Sequence, residues 1–213
     1  MKSKRIFISI LAVLFLFPLM GTYALQGANS GSIEVITTFD YPGTGNQTEP
    51  QKINEKGDIA GVYVDSLGVT RGFVRFSDGS FSAPIVDPND TVGFTQGRGI
   101  NNSRTVCGDY GTSDANSHGF FLSGGTFTGF DVPGALSTDV LGINDAADFA
   151  GDFSDDDVTS QAFVSVGGTI TSFSVPGAIA TLAYEINNSD RLKIGRAHVL
   201  TPVTSASRMP SSA

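Results

Sequence analysis

Cysteine is almost missing from this sequence: Cys107 is the only one among 213 residues. A single thiol rules out an intramolecular disulfide framework and any Cys-x-x-Cys redox or zinc motif. Tryptophan is absent, and histidine occurs only at His118 and His198, so the HExxH zinc signature cannot be written. No GxSxG elbow is present, which removes the local signature of an α/β-hydrolase. Charge is sparse as well, with 16% charged residues, Lys+Arg 13 against Asp+Glu 21 and a net charge of −8. Phosphate binding needs clustered Lys and Arg, so this balance argues against a nucleic-acid partner. One extended apolar run exists, residues 6–20, and Pro18 interrupts it. It falls short of the ~20 residues that a spanning helix needs. No segment beyond it shows helical periodicity.

Residues 1–24 read as a secretory signal peptide. Lys2, Lys4 and Arg5 precede the apolar run, and Thr22-Tyr23-Ala24 supplies a small-x-small site for cleavage after Ala24. The expectation is therefore an exported chain, secreted or extracellular, with no membrane span after cleavage; the alternative is a membrane anchor. Residues 25–37 form a polar lead-in and the start of an isolated strand, read over 32–39.

Glycine, by contrast, is plentiful, 26 residues in all, and it falls in a repeating frame. Ile-Asn recurs at Ile53-Asn54, Ile100-Asn101, Ile143-Asn144 and Ile186-Asn187. Eight residues after the isoleucine stands Gly61, Gly108 or Gly151, and ten after it Tyr63, Tyr110 or Phe153. Twenty residues after it comes Phe73, Phe120 or Phe163, each preceded by a small residue, Gly72, Gly119 or Ala162. Every unit closes on proline with a turn former: Pro42-Gly43, Pro88-Asn89, Pro133-Gly134 and Pro176-Gly177. Within one copy the pattern predicts four short strands, over 138–143, 149–153, 162–166 and 169–175, the last two joined through Gly167-Gly168 in a two-residue hairpin turn. Gly124-Gly125 and Asp78-Gly79 hold the same place in the other copies. Four strands per repeat match the ~40–45-residue blade of a propeller. The fold class expected is all-β, a β-propeller-like array of four-stranded blades. Complete units span 44–88, 89–134 and 135–177, so the propeller is read as incomplete.

These words resemble the HAF repeats, a bacterial family named for a His-Ala-Phe signature. That signature reads His118-Gly119-Phe120, Gln161-Ala162-Phe163 and Arg71-Gly72-Phe73 here, and Asp131-Val132-Pro133-Gly134-Ala135 and Gly142-Ile143-Asn144-Asp145 look like the family's other recurring words. The resemblance covers 38–193 and implies an exported β-repeat protein of no settled biochemical activity. After Asn187 the frame fails: the expected glycine is Ile194, the expected aromatic Arg196 and the expected phenylalanine Ala206. Residues 194–213 resemble a translated sequencing adapter and are expected to be a non-native, unstructured tail.

Few residues are candidates for chemistry. His118 could act as a general base, but its repeat position holds Arg71 and Gln161 elsewhere, which points to a hydrogen-bonding role at a strand start. Asp152, Asp155, Asp156 and Asp157 are the densest carboxylate group; calcium could use such oxygens, though no EF-hand spacing is present and a solvated loop is the plainer reading. Cys107 reads as a small buried apolar residue. The repeated aromatics could be sugar-stacking platforms, but fixed offsets inside strands favour packing between blades. No catalytic, cofactor or metal residue is assigned. The expectation is a secreted, non-catalytic module that binds an extracellular polysaccharide or protein. The alternative is a secreted hydrolase or lyase with its active site among propeller loops.

Overall fold

A computed structural model describes residues 38–44, 47–156 and 158–199. The chain divides into two compact units, Met1–Asp40 and Tyr41–Ala213, and every strand described here lies in the second. The signal peptide, the polar lead-in, most of the isolated strand at 32–39 and the end of the tail lie outside the described residues.

The described residues form thirteen strands and no helix. The first sheet contains β1 (Thr48–Ile53), β2 (Ile59–Val64) and β3 (Thr70–Arg75). The second contains β4 (Thr95–Ile100), β5 (Val106–Gly111), β6 (Ser117–Ser123) and β7 (Thr126–Phe130). The third is built from β8 (Ser137–Ile143), β9 (Phe149–Ser154), β10 (Gln161–Val166) and β11 (Thr169–Phe173), and a last pair from β12 (Ala178–Ile186) and β13 (Leu192–Val199). Each sheet is an antiparallel meander in chain order.

The Ile-Asn words form the first corner of each sheet. Asn101 N–H donates to Thr105 O at 3.2 Å and Arg104 N–H to Asn101 O at 3.0 Å, and the same pair of bonds recurs from Asn54, Asn144 and Asn187. The residue four after the isoleucine takes a left-handed backbone: Gly57 at φ 82, Arg104 at 63, Ala147 at 64 and Asp190 at 55. This is the three-residue hairpin of a type I turn closed by a left-handed residue. The asparagine makes it self-sufficient, because Asn101 Oδ1 accepts from the backbone N–H groups of Ser103 and Thr105, both at 3.0 Å.

The proline turns are held by a threonine that the sequence reading passed over. Thr48, Thr95, Thr138 and Thr181 all stand five residues before the isoleucine. Each hydroxyl accepts the N–H of the residue preceding proline: Tyr41 at 2.9 Å, Asp87 at 3.2 Å, Val132 at 3.1 Å and Val175 at 3.0 Å.

Packing explains the remaining repeated words. Phe73, Phe120 and Phe163 are fully buried, and each ring crosses the second strand at its glycine. A Cβ on Gly108 would lie 1.8 Å from the Gln96 carbonyl oxygen and 2.8 Å from the Phe120 ring, so only glycine fits. The small residue before each phenylalanine sets the approach of the next sheet: a Cβ on Gly119 would lie 2.7 Å from Val140 of β8, and Ala162 shares a buried cluster with Ala183 of β12. The first strands stand beside one another, β1 with β4, β4 with β8 and β8 with β12. Three apolar layers separate the sheets, the middle one holding Cys107, Val140, Ile143 and Phe163 with Phe121, Phe130 and Phe149 against them.

Two expectations about strands are corrected. The first sheet has no regular fourth strand: after Ser77-Asp78-Gly79 only the bridges Arg75 to Phe81 and Gly72 to Ile85 form. Ser82 Oγ takes the Val74 N–H at 3.0 Å in place of a strand carbonyl, and Pro84 has no N–H to offer a ladder. At the other end, pairing does not stop at residue 194, since β13 runs to Val199 against β12. What fails is the register. β12 carries the same irregularity as the other first strands, at Ala183/Glu185, plus two further ones, at Ala178/Ala180 and at Leu182/Ala183, the latter opposite the point where Ile194 replaces the repeat's glycine.

Candidate functional site

The four Ile-Asn corners meet around one groove of about 360 Å³, lined by residues 52–55 at the end of β1 and its turn, by Ile100, Asn101 and Asn102, by Ile143, Asn144 and Asp145, and by residues 185–189. Asparagine amides link the corners in series: Asn54 Nδ2 donates to Asn101 O at 3.0 Å, Asn101 Nδ2 to Asn144 O at 3.1 Å, and Asn144 Nδ2 to Asn187 O at 3.2 Å. A second belt runs outside the first. Glu55 N–H donates to Asn102 Oδ1 at 2.9 Å, Asn102 N–H to Asp145 Oδ1 at 2.8 Å, and Asp145 N–H to Asn188 Oδ1 at 2.9 Å. The Asn102 N–H, with the Asn102 and Asn188 side-chain amides at 2.7 and 2.8 Å, holds the Asp145 carboxyl below the usual carboxylate range. Lys52 and Glu185 form an ion pair between β1 and β12, so the first and last units border the same opening.

His118 lies outside this groove, at the start of β6. Its Nδ1 is 3.1 Å from Asp131 Oδ2 and its Nε2 is 3.2 Å from Thr112 Oγ1. The order carboxylate, imidazole, hydroxyl has the form of a proton relay, but the Thr112 hydroxyl donates to Asp114. The repeat supplies a plainer reason for the contact. Arg71, at the equivalent position, bonds Asp65 at 2.9 Å, and Asp65 is the equivalent of Thr112, so both side chains tie a strand start to the preceding hairpin loop.

The carboxylate run at 152–157 is split by the fold. Asp155 and Asp156 are exposed in the loop, where Asp156 Oδ1 accepts the N–H groups of Val158 and Thr159 at 2.8 and 2.6 Å. Asp157 lies outside the described residues. Asp152 does not belong to that loop: it is 7% exposed, on β9, because strand alternation turns it inward with Ala150. It joins Asp109 of β5, 1% exposed, Asp139 of β8 and Arg98 of β4 in a polar cluster that the sequence reading did not find. Arg98 Nε donates to Asp109 Oδ1 at 2.9 Å. Oδ1 of Asp139, Oδ1 of Asp152 and Oε1 of Gln96 are buried with no hydrogen-bond partner. Burial pushes Asp152 up to about 7, with Asp139 and Asp109 adding to the rise. Burial also pushes Asp109 up to about 7, against the pull of Arg98. The signal available in the sequence was the repeat frame itself, since Asp109 and Asp152 occupy one offset that is Val62 in the first unit.

Among the described residues no group of three or more His, Cys, Asp or Glu side chains is placed to hold a metal ion. Cys107 is fully buried in the middle apolar layer, and burial pushes its thiol up to about 12. Tyr63 and Tyr110 are buried with the phenylalanines, while Phe153 is half-buried and packs against Phe163 with ring centroids 6.4 Å apart. Among the described residues no helix is long and apolar enough to cross a membrane. No protein-family model, curated protein or solved structure gave a match to the chain.

Proposed function

We propose that the chain is a secreted, non-catalytic β-propeller module of the HAF-repeat type that binds a polysaccharide or protein outside the cell. The observation that carries this reading is the convergence of four equivalent corners on one polar groove. The asparagine ladder is common to the copies and builds the frame, whereas the next position at the rim is Glu55 in one copy, Asp145 in another and asparagine, Asn102 and Asn188, in two. A frame that repeats with a rim that varies suits recognition, because the rigid part positions the variable part. Side-by-side first strands joined in series also suit propeller blades around an axis.

A second reading, a hydrolase or lyase, draws on Asp109 and Asp152, whose raised values suit acid catalysis. Neither side chain lines the groove. A panel of bacterial polysaccharides and surface proteins tests both readings on the purified chain. The binding reading expects a saturable ligand whose affinity falls in Lys52→Ala and Glu185→Ala at unchanged melting temperature. Release of reducing ends or unsaturated sugars, abolished by Asp109→Asn, would replace it with the enzymatic reading.

A further inference from the structure

Asp139 and Asp152 are direct partners in the β8–β9 register. Directly opposed side chains on one face of an antiparallel pair have Cβ atoms ~4.5–5.5 Å apart, where like charges repel. That face is turned to β12: Ala150, two residues before Asp152, packs with Ala183 and Ile186. Ser160, which bonds Asp152, is itself bridged to Ala180 at the start of β12. The charged groups facing the pair are Arg98 from β4 and Asp109 from β5; Tyr184 from β12 stands near Arg98, and Cys107 lies on the same face of β5 as Asp109. Arg98 is the single cation among them, and its Nε is taken by Asp109. The pair thus has one free oxygen on each carboxyl and no donor between them.

We propose that Asp139 and Asp152 form a pH-sensitive clamp that holds the third sheet against β12 while Asp152 carries a proton and loosens that junction when the proton leaves. A proton on Asp152 supplies the missing donor: its carboxylic acid O–H bonds the facing Asp139 oxygen, and the two orphaned atoms satisfy each other. Loss of the proton puts two carboxylates opposite one another, one of them buried, beside the buried Asp109. The direction follows from linkage. Asp152 is raised in the fold from an ordinary 3.8 to about 7, so its contribution is complete below the ordinary value and is lost as pH rises through about 7.

Thermal melting of the full chain between about pH 5 and pH 8 tests the clamp, read beside hydrogen exchange with β5 amides as internal reference. The wild type is expected to melt lower as pH rises, with protection lost first at Thr181 and Ala183. Asp152→Asn, whose amide donates permanently to Asp139, is expected to reduce that fall to the part that Asp109 contributes; Asp139→Asn serves if the first variant does not fold. Asp131→Asn, at the exposed His118 contact, should keep it. A wild-type melting temperature that holds or rises across this range overturns the proposal whatever the variants do. So does an unchanged fall in a folded Asp152→Asn protein, or a fall that calcium or sodium alone abolishes, which would make the pair a cation site.

Discussion

The side-chain amide of Asn54 donates to the main-chain carbonyl of Asn101 at 3.0 Å, although 47 residues separate them. Its carbonyl meanwhile accepts the N–H groups of Lys56 and Asp58 in its own turn. One side chain therefore closes a hairpin and stitches it to the next unit, and no other residue of that size carries both an acceptor and a donor there. Aspartate would keep the turn and lose the stitch; serine would not reach.

Asn101 is the most demanding place to test this, since it is 5% exposed and bonds Asn144 O, Ser103 N and Thr105 N. Asn101→Ala leaves buried backbone groups without partners and is expected to cost about 1–3 kcal/mol by urea unfolding. Asn101→Asp should cost more at neutral pH than at pH 3, because its ionised oxygen faces the Asn144 carbonyl. Equal losses at both pH values would show that the stitch carries nothing.

Thr138 offers a narrower substitution. It is 1% exposed, and its hydroxyl is the acceptor for Val132 N–H at the turn into Pro133. Thr138→Val preserves shape and orphans that N–H, for an expected loss of about 1–3 kcal/mol, whereas Thr138→Ser should lose less. The comparison is made by differential scanning calorimetry. If valine proves as stable as threonine, the hydroxyl is not what fixes the turn.

Much of the local structure was legible because it repeats. The predicted strands over 138–143, 149–153 and 162–166 lie within one residue of β8, β9 and β10, and Gly124-Gly125 and Gly167-Gly168 have the positive φ angles that a two-residue hairpin demands. The missing fourth strand of the first sheet was not legible, since the choice of Ser82 Oγ over a strand carbonyl is made only once Val74 stands beside it. The acid cluster escaped for a related reason. Asp152 sits three residues from a solvated loop in sequence, and strand alternation alone separates it from Asp155. Arg98 reaches Asp109 across a bulge at Gly97/Gly99, and a bulge shifts which side chains share a face.

The phenylalanine of each unit should be the costliest side chain to shorten. Phe120 is fully buried, 5.5 Å from the Phe127 ring, and packs with Ile100, Val106 and Tyr110. Phe120→Ala is expected to destabilise by about 3–5 kcal/mol. Gly108→Ala tests the facing surface, because the added methyl would overlap the Gln96 carbonyl; a soluble variant with an unchanged unfolding midpoint would contradict both expectations.

His118→Gln asks whether the imidazole does more than tie a loop. Glutamine is the residue that the third unit carries there, as Gln161. The change should move stability by no more than about 0.5 kcal/mol, the range of substitutions outside special sites, and leave ligand binding intact. A large loss of binding at unchanged melting temperature would mark His118 as part of a site.

The acid side of the stability profile should belong to Asp58. This carboxylate is fully buried, yet it is surrounded by donors: Arg104 Nε at 2.7 Å and Nη2 at 3.2 Å from the next unit, Ser77 N–H at 3.0 Å and Asn54 Nδ2 at 3.4 Å. The Arg104 hydrogen bond, foremost, holds its carboxyl below the ordinary 3.8. A group depressed in the fold contributes stability that is present above its ordinary value and lost as pH falls through the depressed one. Its sign is opposite to that of Asp152, so melting temperature should fall on both sides of a mildly acidic optimum. Asp58→Asn removes the charge that Arg104 binds and should lower stability at pH 6 while flattening the acid limb below pH 4. Arg104→Gln leaves Asp58 buried with only neutral donors and should steepen the loss at neutral pH, where the unpaired charge persists. Melting both variants from pH 3 to pH 7 separates these outcomes, and an acid limb in Asp58→Asn as steep as in the wild type would assign it to other carboxylates.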